Sequence, residues 1–120
     1  VVLIGHSLGG TFVAKYLSEN DFPKKIKAAF LVSACYDYDG DTGINDLARF
    51  TLANDLSRIS SQAKKIFIYH SKDDSLVPFE AAEKYKNALP KAELMLFGDR
   101  GHFNQTEFPE LINAIKKLYA

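Results

Sequence analysis

The sequence predicts an α/β fold: a mostly parallel sheet with helices on its faces. Strand-like apolar runs and stretches of helical periodicity alternate four times along the chain. The first two runs, Val1-Val2-Leu3-Ile4 and Ala28 to Ala34, also lack the in-and-out alternation of a strand with one wet face, and suit strands buried on both faces of a parallel sheet. Such alternation calls for right-handed crossovers that lay helices over the sheet. With 120 residues, 47% of them hydrophobic, residues 1–120 are expected to form a single domain of about four β/α units.

Val1 to Ile4 is the first strand, and Gly5 to Gly10 turn the chain. Leu8, Phe12, Val13, Tyr16 and Leu17 recur at helical spacing, so a helix is expected from Leu8 to about Ser18, ending near Asn20-Asp21-Phe22-Pro23. Ala28 to Ala34 is the second strand, and the Asp- and Gly-rich stretch from Tyr36 to Asn45 reads as a loop at its carboxyl end. Leu47, Ala48, Phe50 and Leu52 fit one helix from about Ile44 to Asn54, whereas Leu56 to Gln62 reads as polar connection. Ile66 to His70 is the third strand. Glu80 to Leu89 is a helix with Ala81, Ala82, Tyr85, Ala88 and Leu89 on one face, and Glu93 to Phe97 is the fourth strand. A last helix starts at Pro109, a residue favoured at the first helical position, and carries Leu111, Ile112, Ile115 and Leu118. Because Val1 already stands inside a strand, earlier amino-terminal strands that would pair with it are expected to be missing.

Charge excludes several classes of function. Fifteen Lys and Arg balance fifteen Asp and Glu, and they are scattered, which is not the basic footprint of a nucleic-acid or anionic-membrane binder. No apolar run approaches the roughly 20 residues that span a bilayer. Cys35 is the only cysteine, so no intramolecular disulfide or thiolate zinc cluster can form, as is usual in a reducing compartment; the expected location is the cytoplasm.

The chemistry begins at Gly5-His6-Ser7-Leu8-Gly9, a G-x-S-x-G pattern between a strand and a helix, the context of a nucleophile elbow. Small residues either side of the serine let strand and helix approach closely. Ser7 then projects as the candidate nucleophile, and the Leu8 N–H faces a developing oxyanion. Gly5 and Gly10 also have the spacing of a phosphate loop, but Thr11 and Phe12 replace its Lys and its Ser or Thr. A serine nucleophile needs a base, and the base an orienting acid, in the order Ser, Asp, His. Asp74, with Asp73 as the neighbouring candidate, follows the third strand, and His102 follows the fourth. In a parallel sheet these loops share one carboxyl edge, so the groups can converge.

His6, His70 and Cys35 take structural roles in this reading: neither imidazole has an evident orienting acid, and no basic neighbour lowers the thiol pKa. Asp37, Asp39 and Asp41 begin like a calcium loop, but Thr42 and Ala48 stand where Gly and Glu are needed, and the stretch reads as a solvated loop.

With Gly5-His6-Ser7-Leu8-Gly9-Gly10, Asp74-Ser75-Leu76-Val77-Pro78 and Gly101-His102-Phe103-Asn104 in place, the chain resembles the carboxyl-terminal half of an α/β-hydrolase. Residues 70–79 and the run from Gly101 to Leu111 are similar to the small, lidless serine hydrolases related to retinoblastoma-binding protein nine. The resemblance implies an esterase-like hydrolase with Ser7 as nucleophile, Asp74 rather than Asp73 as acid, and His102 as base. A triad of this kind acts on a small-molecule acyl substrate and needs no metal or organic cofactor, and the charge balance and short apolar runs leave no nucleic-acid or membrane partner expected. The family places further strands before the elbow, with a loop that gives a second oxyanion-hole N–H, and this sequence has neither. The alternative is a non-catalytic protein-interaction module on the same scaffold, or an inactive fragment.

Overall fold

The computed structural model describes residues 1–37 and 51–120. Four strands, β1 (Val2–His6), β2 (Ile26–Val32), β3 (Ala63–Ser71) and β4 (Glu93–Phe97), pair in sequence order, every pair parallel. Helix α1 (Leu8–Glu19) joins β1 to β2, α2 (Ser57–Gln62) precedes β3, α3 (Glu80–Ala88) joins β3 to β4, and α4 (Pro109–Leu118) closes the chain. No described helix is long and apolar enough to cross a membrane.

Because side chains alternate across a strand, each central strand feeds two cores. Ala29 and Leu31 of β2 with Ile66 and Ile68 of β3 pack against Ala14 and Leu17 of α1, Ile59 of α2, and Ala82 and Tyr85 of α3. On the other face Phe30 stacks on Phe67, ring centroids 4.6 Å apart, and Tyr69 meets Phe30 edge-on. Leu111, Ala114, Ile115 and Leu118 of α4 cover that aromatic layer.

Three expectations change. Residues 51–56 are not helical, so the proposed helix from Ile44 to Asn54 fails at its carboxyl end; its remainder, and Asp39 and Asp41 of the calcium-like spacing, lie outside the described residues. The polar connection at 56–62 contains α2, a six-residue helix with Ile59 as its one buried residue, too short for periodicity to betray it. The first strand is not buried on both faces. It pairs only with β2 among the described residues, and Ile4 is 49% and Phe12 57% exposed beside it.

The approach of α1 to β1 rests on two glycines. A Cβ on Gly5 would fall 2.5 Å from Gly10 Cα, and one on Gly10 would fall 2.6 Å from Ala34 Cβ. Gly9 differs from expectation, for a Cβ there would meet nothing within 4 Å. The partner of Gly5 in the close approach is therefore Gly10, although the five-residue pattern points to Gly9. Gly5→Ala and Gly10→Ala are each expected to cost about 1–3 kcal/mol of stability through overpacking. Gly9→Ala should change stability by no more than about 1 kcal/mol, since helix propensity alone is at stake. Urea denaturation of the three variants checks this, and equal losses for Gly9→Ala and Gly5→Ala would refute it.

Candidate active site

Four strand ends supply the site. At the first, Ser7 stands between β1 and α1 with φ 58° and ψ −125°, a conformation that costs an L-residue energy and persists only where its surroundings hold it. Here the Ser7 N–H donates to the Val32 carbonyl at 2.8 Å, fixing the turn to the end of β2. The Ser7 carbonyl accepts the Gly10 and Thr11 N–H groups at 3.0 and 3.3 Å, which starts α1. Leu8 is the first residue of that helix, where N–H groups have no intrahelical acceptor.

At the second strand end, the Cys35 carbonyl accepts two buried hydroxyls, Thr11 Oγ1 at 2.7 Å and Tyr85 Oη at 2.6 Å. Thr11, the residue that spoils the phosphate-loop pattern, thus ties α1 to the β2 turn. Ser33, also buried and at φ 46°, precedes this carbonyl.

At the third, Asp74 follows β3 with its carboxylate fully buried. Its Oδ1 accepts the Leu76 and Val77 N–H groups at 2.9 and 3.0 Å, and its Oδ2 lies 2.9 Å from His102 Nδ1. Burial works against ionisation of Asp74. The Val77 N–H, the His102 imidazole, the Leu76 N–H and the nearby Ser33 hydroxyl together outweigh it, and hold the carboxyl below its ordinary pKa. The Ser33 Oγ does this from close by without reaching hydrogen-bond geometry with any partner among the described residues.

At the fourth, His102 lies between Gly101 at φ 55° and Phe103 at φ 57°. The Phe103 ring secures this turn by packing against Phe97 and Phe108, centroids 5.3 and 5.1 Å away. An ionised carboxylate only accepts, so His102 Nδ1 carries a hydrogen and the neutral ring keeps its lone pair on Nε2. That nitrogen is 2.9 Å from Ser7 Oγ. The structure therefore brings Ser7, His102 and Asp74 into one hydrogen-bonded chain, with Asp74 and not Asp73 against the imidazole.

Two histidines read as structural have more specific places than the sequence revealed. His6 Nε2 reaches the His102 carbonyl at 2.6 Å, and the two rings stand 4.9 Å apart. His70, buried, donates from Nε2 to the Val77 carbonyl at 2.9 Å, and the same nitrogen lies 3.7 Å from Asp74 Oδ2. An acid thus does stand beside His70, four residues away in sequence but brought close only by the turn after β3.

Comparison with known proteins agrees with this architecture. The family model described as serine hydrolase matches residues 1–118. The chain is 31% identical over 117 residues to the serine hydrolase RBBP9 of Rattus norvegicus, covering 98% of this chain and 60% of that protein. Among solved structures it resembles the ydeN gene product of B. subtilis, with a TM-score of 0.85 and 24% identity over 98% of this chain and 64% of the other. It also resembles the esterase domain of a Rhodothermus marinus protein, with a TM-score of 0.64 and 20% identity over 88% of this chain and 53% of the other. The chain therefore spans somewhat under two thirds of the length of these relatives. A four-stranded parallel sheet presenting a serine, a histidine and an aspartate at one edge, together with a family match across nearly its whole length, places this chain in the serine hydrolase family on an α/β-hydrolase fold.

Proposed function

We propose that the chain carries out ester hydrolysis through a Ser7–His102–Asp74 triad and an acyl-enzyme intermediate. The observation that carries this reading is the continuous path from Ser7 Oγ through both nitrogens of His102 to a buried carboxylate, 2.9 Å at each step. His102 Nε2 takes the Ser7 proton as Oγ attacks the acyl carbonyl carbon. Asp74 keeps the ring in the tautomer that can accept that proton, and stabilises the imidazolium that results. The carbonyl oxygen becomes an oxyanion at the amino terminus of α1, with the Leu8 N–H as its proposed donor. The bond to the leaving alcohol then breaks, and the alcohol departs with the proton from Nε2. Water repeats the sequence: Nε2 takes its proton, the hydroxide attacks the acyl-serine, and acid and Ser7 are released.

This chemistry uses side chains and backbone alone, and its substrate is a small acyl ester. Esterases stand among the solved structures of similar fold, which is consistent with an ester substrate, alongside meta-cleavage product hydrolases.

Two tests follow. A fluorophosphonate probe, which needs an activated serine, should label Ser7 in the protein and fail with Ser7→Ala, while p-nitrophenyl acetate turnover should fall about 10^4-fold in Asp74→Asn, from loss of the correct tautomer. Intact-mass detection reads the first, and a folded protein that takes up no probe would favour the non-catalytic module. The second test uses pH. The pKa of Asp74 is depressed in the folded state, so the stability it contributes is fully present above its unfolded value, about pH 4. That contribution is lost as pH falls through the lower folded value. The stability difference between wild type and Asp74→Asn should shrink as pH falls from about 5 to below 4; denaturant titrations across that range would show no such change if the carboxylate were not ionised by preference.

A further inference from the structure

Asp73 stands beside the proposed acid, is largely exposed, and points its carboxylate elsewhere. Its Oδ1 accepts the Ser71 hydroxyl at 2.6 Å and the Gly101 N–H at 2.8 Å. The Ser71 Oγ, fully buried, in turn accepts the Arg100 N–H at 3.0 Å. Two successive backbone N–H groups immediately ahead of His102 are thus held by side chains from the end of β3. We propose that Asp73, acting with Ser71, is a positioning residue that fixes the backbone of the histidine loop while Asp74 fixes the imidazole; the proposal rests on the triad reading above.

The loop needs such a hold. Its two left-handed residues, Gly101 and Phe103, flank the histidine, and among the described residues only the Arg100 carbonyl closes the turn, accepting the Phe103 N–H at 3.0 Å. The other ties grip its margins. Arg100 pairs with Glu110 at the start of α4 and lies over the Phe97 ring, 4.7 Å from its centroid, and His6 holds the His102 carbonyl. None of these reaches the Gly101 N–H. The Asp73 carboxyl is held below its ordinary pKa, first by the Ser71 hydroxyl and then by the Gly101 N–H, which fits a carboxylate whose accepting capacity is in use. Two neighbouring aspartates, nearly equal candidates in the sequence, thus divide two tasks: one orients a ring, the other the main chain that carries it.

The division can be tested because asparagine keeps the accepting oxygen and alanine does not. Asp73→Ala should slow fluorophosphonate labelling of Ser7 on the order of 10- to 100-fold, the scale of a displaced catalytic group. Asp73→Asn should stay within about threefold of wild type, and the KM for p-nitrophenyl acetate should be unchanged in both. Amide exchange by NMR reads the hold itself: the Gly101 N–H should lose protection in Asp73→Ala and keep it in Asp73→Asn. Ser71→Ala should likewise expose the Arg100 N–H. Unchanged Gly101 protection in a folded Asp73→Ala protein would overturn the proposal, as would an Asn variant as slow as the Ala variant, which would assign the effect to charge. If wild type takes up no probe while Gly101 exchange follows the expected pattern, the positioning role stands and the hydrolase reading fails.

Discussion

Gly5 and Gly10 bring the backbone of α1 against the end of β1, and the geometry of the site follows from that contact. No side chain other than hydrogen fits at either position, so the chain between them must reverse within a few residues. Ser7 takes the strain of that reversal at φ 58°. A gentler turn would relax the serine but would carry the helix terminus away from it. The parallel pairing then adds the other groups at no extra cost in geometry, since every strand in such a sheet ends at the same edge. Ser7, Asp74 and His102 arrive there from β1, β3 and β4, and β2 contributes the carbonyl that anchors the turn.

Strain and burial concentrate at this edge. The non-glycine residues with positive φ among those described are Ser7, Ser33 and Phe103, and each sits just beyond a strand or beside a candidate catalytic group. Conformations of this kind cost on the order of 1–3 kcal/mol each and persist when the surroundings over-determine them. The surroundings here are identifiable: the Val32 carbonyl for Ser7, the Tyr69 carbonyl for the Ser33 N–H at 2.9 Å, and the Phe97 and Phe108 rings for Phe103. The aromatic layer under α4 is therefore as much a support for the histidine loop as it is a core.

How much of this was legible in the sequence depends on range. The Gly-rich turn around Ser7, the order of Ser7, Asp74 and His102, and the four strands are written in local pattern, and the structure has those strands with ends shifted by at most three residues, whereas the helix expected before Asn54 and the unexpected α2 show where the pattern misleads. Lys64 and Lys65 conceal the start of β3, since both are exposed at the amino-terminal end of a strand whose remainder is buried. What the pattern could not give is contact between distant residues. Nothing local distinguishes Gly9 from Gly10, or shows that Asp73 reaches Gly101, that His6 meets the carbonyl of His102, or that Thr11 and Tyr85 share one acceptor. Each of these depends on two loops meeting at the sheet edge, and spacing along the chain carries no record of it. The choice between Asp73 and Asp74 came from family resemblance, and its physical basis is which carboxylate the turn after β3 directs inward.

The shared acceptor has a consequence for the lone thiol. Hydroxyls from α1 and α3 occupy the carbonyl of Cys35, and its side chain is buried beside Val77 and Ala81. With Cys35 only 2% exposed, a thiol reagent reaches it chiefly when this segment opens. The rate at which a slow alkylating agent consumes this cysteine, compared with its rate on a free thiol, therefore reports how often the segment held by Thr11 and Tyr85 opens. The residue with no part in the proposed reaction thus serves as a built-in clock for the region on which that reaction relies.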